Sequence, residues 1–206
     1  MKRFIYCVAT ALLAVACTQN RQENASDGAD LTRYVNPFIG TAFTGHTFPG
    51  ATYPLGMIQA GPQTGNFTWE YCAGYFYEDS LIQGFTQNRL NGTGCVDLGD
   101  LLIQPFSGEK RENYDSRFDK AKEKASPGYY TVELSDNEVG VEITASPHVA
   151  FHRYRYPKGE TANILADFQS GLVWQDARIH THVLDQEINF ESDRVISGFT
   201  RRTEWV

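Results

Sequence analysis

No stretch of the 206-residue chain approaches the roughly 20 consecutive apolar residues that a membrane-spanning helix needs. Basic clusters are missing as well. Lys and Arg number 18 against 25 Asp and Glu, for a net charge of -7 and a pI near 5.2. Nucleic acid is therefore excluded as a partner, because counterion release needs a stripe of cations that this chain lacks. Cysteine is scarce: the four residues are Cys7, Cys17, Cys72 and Cys95, and no CxxC pair is formed. That spacing argues against a structural zinc site. A sustained helical period is also absent, which removes helical bundles and alternating β and α units from consideration.

What is present begins with a sorting signal. Lys2 and Arg3 open the chain, residues 4–16 form an apolar run too short to span a membrane, and Cys17 follows small residues. Leu13-Ala14-Val15-Ala16-Cys17 resembles the lipobox of bacterial lipoproteins, so residues 1–17 are expected to act as a signal peptide ending at a lipidated Cys17. Thr18, in place of Asp, suggests sorting to an outer membrane. Residues 18–30 contain no large apolar side chain and read as a polar tether. The folded domain is expected over 31–206, a length suited to one hydrophobic core. Cys72 and Cys95 then remain, and the sequence leaves open whether they pair.

The C-terminal half is repeatedly β. The runs 129–134, 139–145 and 149–156 alternate apolar and polar residues and are separated by Asp136-Asn137 and Ser146-Pro147 turns. Further strands fit 101–106, 162–168, 179–184, 187–191 and 194–201. Many short strands with frequent turns predict an all-β, antiparallel β-sandwich. The charged segment 110–124 reads as a solvated loop or edge strand. Thr203-Glu204-Trp205-Val206 reads as the middle of a strand, so the sandwich is expected to continue beyond it.

Residues 66–100 carry the densest group of aromatics, glycines and carboxylates and are expected to be mostly surface loop that holds a ligand. His46 lies in a glycine-rich segment without a second base nearby, which fits a structural role as well as a functional one. Asp97 and Asp100 fit turn residues bonding their own backbone, with ligand contact as the alternative. His180 and His182 would share one face of a strand, yet no third ligand accompanies them.

Several motifs then fall in a recognisable order. Val35-Asn36-Pro37-Phe38-Ile39-Gly40-Thr41, Gly45-His46-Thr47-Phe48-Pro49-Gly50-Ala51, Pro54-Leu55-Gly56-Met57-Ile58-Gln59, Gly74-Tyr75-Phe76-Tyr77 and Gly92-Thr93-Gly94-Cys95-Val96-Asp97-Leu98-Gly99-Asp100 resemble the amino-terminal domain of glycoside hydrolase family 92. The resemblance implies a two-domain, calcium-dependent, inverting exo-α-mannosidase of bacterial glycan degraders. Its β-sandwich would pack against an (α/α)6 barrel absent from this chain. Catalytic carboxylates and most calcium ligands would lie in that barrel, so no catalytic or metal residue is assigned here. The sandwich would supply part of the mannose-containing glycan site: Trp69 before the Gly-Tyr-x-Tyr motif, with an indole face on the sugar and its N–H on a hydroxyl, then Glu70, Cys72 and His46. Where the family shows Thr-His-Leu-Ser-Gly, this chain has Asn88-Arg89-Leu90-Asn91-Gly92, and Arg89 would favour a different neighbouring sugar or a phosphate. The alternative is a lipid-anchored, non-catalytic glycan-binding module using Trp69 and Tyr75 as its platform.

Overall fold

A computed structural model describes residues 30–66, 68–92, 94–109, 111–172 and 182–203. The chain divides into Met1–Leu31 and Thr32–Val206, and the second unit contains the fold. Its strands are β1 (Ala51–Thr52), β2 (Gln59–Gln63), β3 (Leu81–Ile82), β4 (Gly84–Thr86), β5 (Leu102–Ser107), β6 (Ser116–Arg117), β7 (Lys124–Ser126), β8 (Tyr129–Leu134), β9 (Val139–Ala145), β10 (Ala150–Arg155), β11 (Ala162–Asp167), β12 (Val183–Ser192) and β13 (Val195–Arg202). No α-helix occurs among the described residues.

Period-two patterning decides the main sheet. Tyr130, Val132 and Leu134 of β8 and Val139, Val141 and Ile143 of β9 point to one side and are buried, while their neighbours face outward. Antiparallel register pairs Val132 with Val141 and Leu134 with Val139. Two sheets result, in the orders β1-β2-β4-β5-β11 and β10-β9-β8-β7. They face each other across a core of Ala51, Ala60 and Phe85 from one side and the β8–β9 set from the other, with Ile82 of β3 and Phe118 in the same cluster. Each large aliphatic or aromatic chain buried there contributes about 1.5–3 kcal/mol. The fold is an antiparallel β-sandwich, as the alternation implies.

Three expectations need correction. The segment 110–124 is not wholly solvated: it contributes β6 to a two-stranded sheet with β3, and Phe118 and Glu123 are buried. Glu123 accepts hydrogen bonds from the hydroxyls of Tyr75 (2.9 Å) and Tyr130 (2.7 Å), with Lys120 Nζ at 3.1 Å. Tyr75 comes from a distant part of the chain and Tyr130 from β8, which is why the polarity of the segment alone misreads the site. Secondly, the two expected strands around 179–191 are, where described, the single strand β12, which carries register shifts between Val183 and Asp185 and between Phe190 and Ser192. Finally, residues 66–100 are less exposed than expected, since Cys72, Ala73 and Tyr75 are fully buried and β4 is an interior strand. The pair His180 and His182 cannot be placed together, because His180 lies outside the described residues.

Candidate functional site

Three loops meet at Trp69. The first carries His46, which sits in the left-handed region at φ 50°, a conformation that strains any residue with a β-carbon. The second is a 3₁₀ turn at Trp69–Tyr71. The third is the segment around Gly92 and Gly94. Its backbone N–H at Gly92 donates to the His46 carbonyl (2.5 Å), and the Gly94 carbonyl accepts from the indole Nε1 of Trp69 (2.9 Å). The His46 and Trp69 rings then meet edge to face, with centroids 4.3 Å apart and planes at 63°. Gly94 has φ 68°, and an added β-carbon would stand 3.7 Å from both His46 Cδ2 and Trp69 Nε1. A glycine is suited here by its backbone conformation, while a β-carbon would meet its neighbours at ordinary contact distance.

The electrostatics distinguish the members of this group. Trp69 is 40 % exposed and Glu70 is exposed beside it. The Thr68 hydroxyl donates to Glu70 Oε2 (2.5 Å), and that bond is the main reason the carboxyl is held below its usual range, with its own backbone N–H and the nearby His46 adding smaller effects. His46 is buried, and neither Nδ1 nor Nε2 has a hydrogen-bond partner among the described residues. Burial lowers its pKa and the Glu70 charge partly opposes this, so the ring is neutral at pH 7. A neutral imidazole offers one donor and one acceptor, and leaving both buried and unmade is unfavourable.

Cys72 stands behind this surface. It is fully buried, its thiol donates to the Trp69 carbonyl (2.8 Å), and desolvation pushes its pKa up to about 12. The thiol thereby fixes the turn that carries Trp69 and is not itself exposed to a ligand. Cys72 and Cys95 are both present as thiols.

Arg89 does not join the group facing solvent. Its guanidinium is buried and donates to the carbonyls of Pro62 (3.0 Å), Gly61 (3.0 Å) and Ala73, and to the Thr86 hydroxyl, with the Phe48 ring 4.5 Å from its central carbon. Burial moves its pKa down to about 9, still protonated at neutral pH. The arginine is an internal staple that ties β2 and β4 to the segment after the 3₁₀ turn, and its Nε, without a hydrogen-bond partner among the described residues, is buried with the rest of the guanidinium. Its fit depends on Gly74, whose φ is 73° and where a β-carbon would lie 2.9 Å from Arg89 Nη1. Two further expectations change. The Trp69 N–H is already engaged by Gly94, so Trp69 offers its ring and not its N–H. Tyr75 is buried and bonded to Glu123, so it forms no exposed platform with Trp69.

Asp97 bonds the backbone, whereas the Asp100 carboxylate is held by side chains. Asp97 Oδ1 accepts from Leu98 N (2.8 Å), while Asp100 accepts from Asn88 Nδ2 (3.0 Å) and pairs with Arg202. Among the described residues no group of three or more His, Cys, Asp and Glu is placed to hold a metal ion.

Comparison with known proteins decides the family. A model of the glycosyl hydrolase family 92 N-terminal domain matches residues 34–206. The chain belongs to glycoside hydrolase family 92. A solved family 92 α-mannosidase, BT3965 of Bacteroides thetaiotaomicron, is 34 % identical with a TM-score of 0.78, over 84 % of this chain and 23 % of its own in the complex with mannoimidazole. The family 92 glycosyl hydrolase ccman5 is 25 % identical with a TM-score of 0.68, over 85 % of this chain and 24 % of its own. A secreted glycosidase of Arthroderma benhamiae is 30 % identical over 138 residues, which is 62 % of this chain and 18 % of the relative. The chain thus spans less than a quarter of the length of these relatives.

Proposed function

We propose that this chain is the amino-terminal sandwich of an exo-acting α-mannosidase and that Trp69, Glu70 and His46 form part of its sugar site. The observation that carries the reading is the buried His46 ring, whose two nitrogens have no partner among the described residues, set edge to face against a half-exposed indole. A pyranose has one apolar C–H face and a rim of hydroxyls. The indole suits the face, and the imidazole and the Glu70 carboxylate suit the rim. Glu70, held ionised by Thr68, accepts from hydroxyls, whereas His46 exchanges one donated and one accepted bond. Cys72, Gly94 and Arg89 hold these groups from behind.

The solved relative BT3965 was captured with mannoimidazole, and BT2199, 28 % identical with a TM-score of 0.53, is an inverting mannosidase. Their names support α-mannoside hydrolysis with inversion for the enzyme to which this chain belongs. Such a reaction needs a carboxylic acid at the leaving group and a carboxylate base beyond a water. The reading assigns both to the part of the relatives that this chain does not span, and it makes the 206 residues inactive alone. Calcium does not fit the described residues, which bring no metal-binding group together. A calcium-dependent family enzyme would draw its ligands from elsewhere.

Cys17 would carry lipid after removal of the signal peptide, with residues 18–30 as tether, placing the enzyme at an outer membrane. Metabolic labelling with a palmitate analogue tests this: Cys17→Ala is expected to abolish the label, and labelling that persists would refute it. The site itself is tested by titrating α-1,2-mannobiose into the product of the complete reading frame. Trp69→Ala should weaken binding at least tenfold while leaving the melting temperature nearly unchanged. Equal binding by both proteins would remove Trp69 from the site. Binding without any hydrolysis would favour a glycan-binding module instead.

A further inference from the structure

The three groups that meet at Trp69 are graded in depth. His46 is buried, Trp69 half-exposed and Glu70 exposed, so the imidazole marks the inner end and the carboxylate the mouth. An exo-acting enzyme takes the terminal sugar at the inner end, which leaves the adjoining sugar at the mouth, against Glu70. That carboxylate accepts from the Thr68 hydroxyl (2.5 Å), the bond that does most to keep it ionised. The neighbouring Tyr71 donates to a second carboxylate, Asp79 (2.9 Å). Tyr71 responds to both acids: burial is the main cause of its pKa of about 12, the bond to Asp79 adds to it, and the charges of Asp79 and Glu70 push the same way.

No cation balances this charge. Among the described residues Glu70 pairs with no Lys or Arg, and of the basic groups only His46 acts on it. Arg89 is engaged by carbonyls inside the sandwich, and Lys120 by Glu123 (3.1 Å) and the Tyr75 hydroxyl (2.8 Å). His46 is neutral at pH 7 and supplies a single donor. The 3₁₀ turn at Trp69–Tyr71 has three residues, too few for the dipole that favours anions at a helix start. A carboxylate only accepts hydrogen bonds. Glu70 therefore suits hydroxyls, which donate, and repels ionised phosphates and carboxylates, which offer acceptors and carry charge of the same sign.

We propose that Glu70 sets the specificity of this site by charge: it admits a neutral glycan and turns away one that carries a phosphate or carboxylate on the sugar adjoining the terminal mannose. The inference rests on the reading of Trp69, Glu70 and His46 as a sugar site. It reverses the preference for phosphate that Arg89 implies in the sequence, since the guanidinium that would receive the anion is buried. A phosphate monoester brings about -1.5 to -2 charges at pH 7, so the repulsion is larger for phosphate than for a single carboxylate. At an exposed residue it is also screened by salt, because the range of a charge shortens from about 10 Å at 0.1 M to about 3 Å at 1 M.

Calorimetric titration of the product of the complete reading frame tests this with three probes: α-1,2-mannobiose, the same disaccharide phosphorylated at O6 of its reducing-end mannose, and the disaccharide acetylated at that oxygen as a neutral control for size. The parent should bind mannobiose about tenfold or more tightly than the phosphate, with the acetate within about threefold of mannobiose. Glu70→Gln, which keeps the shape and removes the charge, should narrow the gap between mannobiose and phosphate by about fivefold or more, and Glu70→Lys should reverse it. Raising NaCl to about 0.5 M should narrow the gap in the parent and leave the Gln variant unmoved, a response that a merely structural role for Glu70 would not give. A gap unchanged in both folded variants, or an acetate rejected as strongly as the phosphate, would overturn the proposal. Trp69→Ala on the same probes separates the two readings. Mannobiose binding that needs Trp69 while the gap ignores Glu70 removes only the charge selection, whereas parent-like binding by Trp69→Ala removes the sugar site and the selection with it.

Discussion

Replacing Arg89 with methionine separates a staple from a ligand contact. The side chain keeps much of its apolar volume but loses every donor. In the structure the two terminal nitrogens serve three carbonyls, at Gly61, Pro62 and Ala73, and one hydroxyl at Thr86. Each buried acceptor left unmade costs about 1–3 kcal/mol, and the lost stacking on Phe48 at 4.5 Å costs about 1 kcal/mol more. Removal of the buried charge returns part of this, because Arg89 has no carboxylate partner among the described residues and its pKa is driven down by desolvation. A net loss of about 3–5 kcal/mol follows, a large share of the total of about 5–15 kcal/mol that holds a typical domain together. At about 2–4 °C per kcal/mol for a domain of this size, the melting temperature should fall by roughly 6–20 °C. Thermal unfolding followed by circular dichroism measures it. Arg89→Lys should recover little, since one ammonium cannot span carbonyls on opposite sides. A melting temperature within 2 °C or so of the parent, coupled with lost sugar binding, would refute the staple and restore Arg89 to the ligand.

Other perturbations probe the remaining buried groups. His152 is held neutral: burial moves its pKa to about 4, with Gln87 at 2.9 Å and Tyr154 at 3.0 Å from its ring nitrogens. The unfolded chain takes up the proton near pH 6.5 and the folded one does not until about pH 4, so stability should fall as pH drops through that window, by at most about 3 kcal/mol. His152→Gln should flatten the dependence, which unfolding midpoints at pH 7, 6 and 5 will show. Glu123→Leu strands the hydroxyls of Tyr75 and Tyr130 and the Lys120 ammonium, and a loss of about 3–5 kcal/mol is expected in denaturant titration. Gly94→Ala forces a side chain into φ 68°, for a cost of about 1 kcal/mol. Because it shifts the carbonyl that holds the indole, KM for a mannoside should rise by more than kcat falls; an unchanged KM would separate this loop from the site.

The sheets were legible because their signal is local. Tyr130, Val132 and Leu134 against Val139, Val141 and Ile143 carry both the period and the register, and the Asp136-Asn137 turn marks the reversal. Trp69, Glu70 and His46 were legible only through the order of motifs, and their meeting depends on Gly92 and Gly94, which join loops far apart in sequence. Arg89 was misread because Asn88-Arg89-Leu90-Asn91 has the composition of a solvated loop. Its burial is created by carbonyls from residues 61, 62 and 73, and a polar side chain gives no periodic sign that backbone acceptors await it. Glu123 was hidden for the same reason, its partners being Tyr75 and Tyr130 on other elements. Engagement of the Trp69 N–H by Gly94 is a contact between backbone and side chain across 25 residues, with no trace in composition.

The central claim is that Trp69 and His46 line a mannose site in a family 92 enzyme. It is tested most directly by the kinetics of α-1,2-mannobiose hydrolysis for the complete gene product and its Trp69→Ala and His46→Ala variants, each checked for an intact fold by its melting temperature. Both variants should lose at least tenfold in kcat/KM, equivalent to about 1.4 kcal/mol or more of transition-state stabilisation. Parent-like kcat/KM in folded variants would contradict the account.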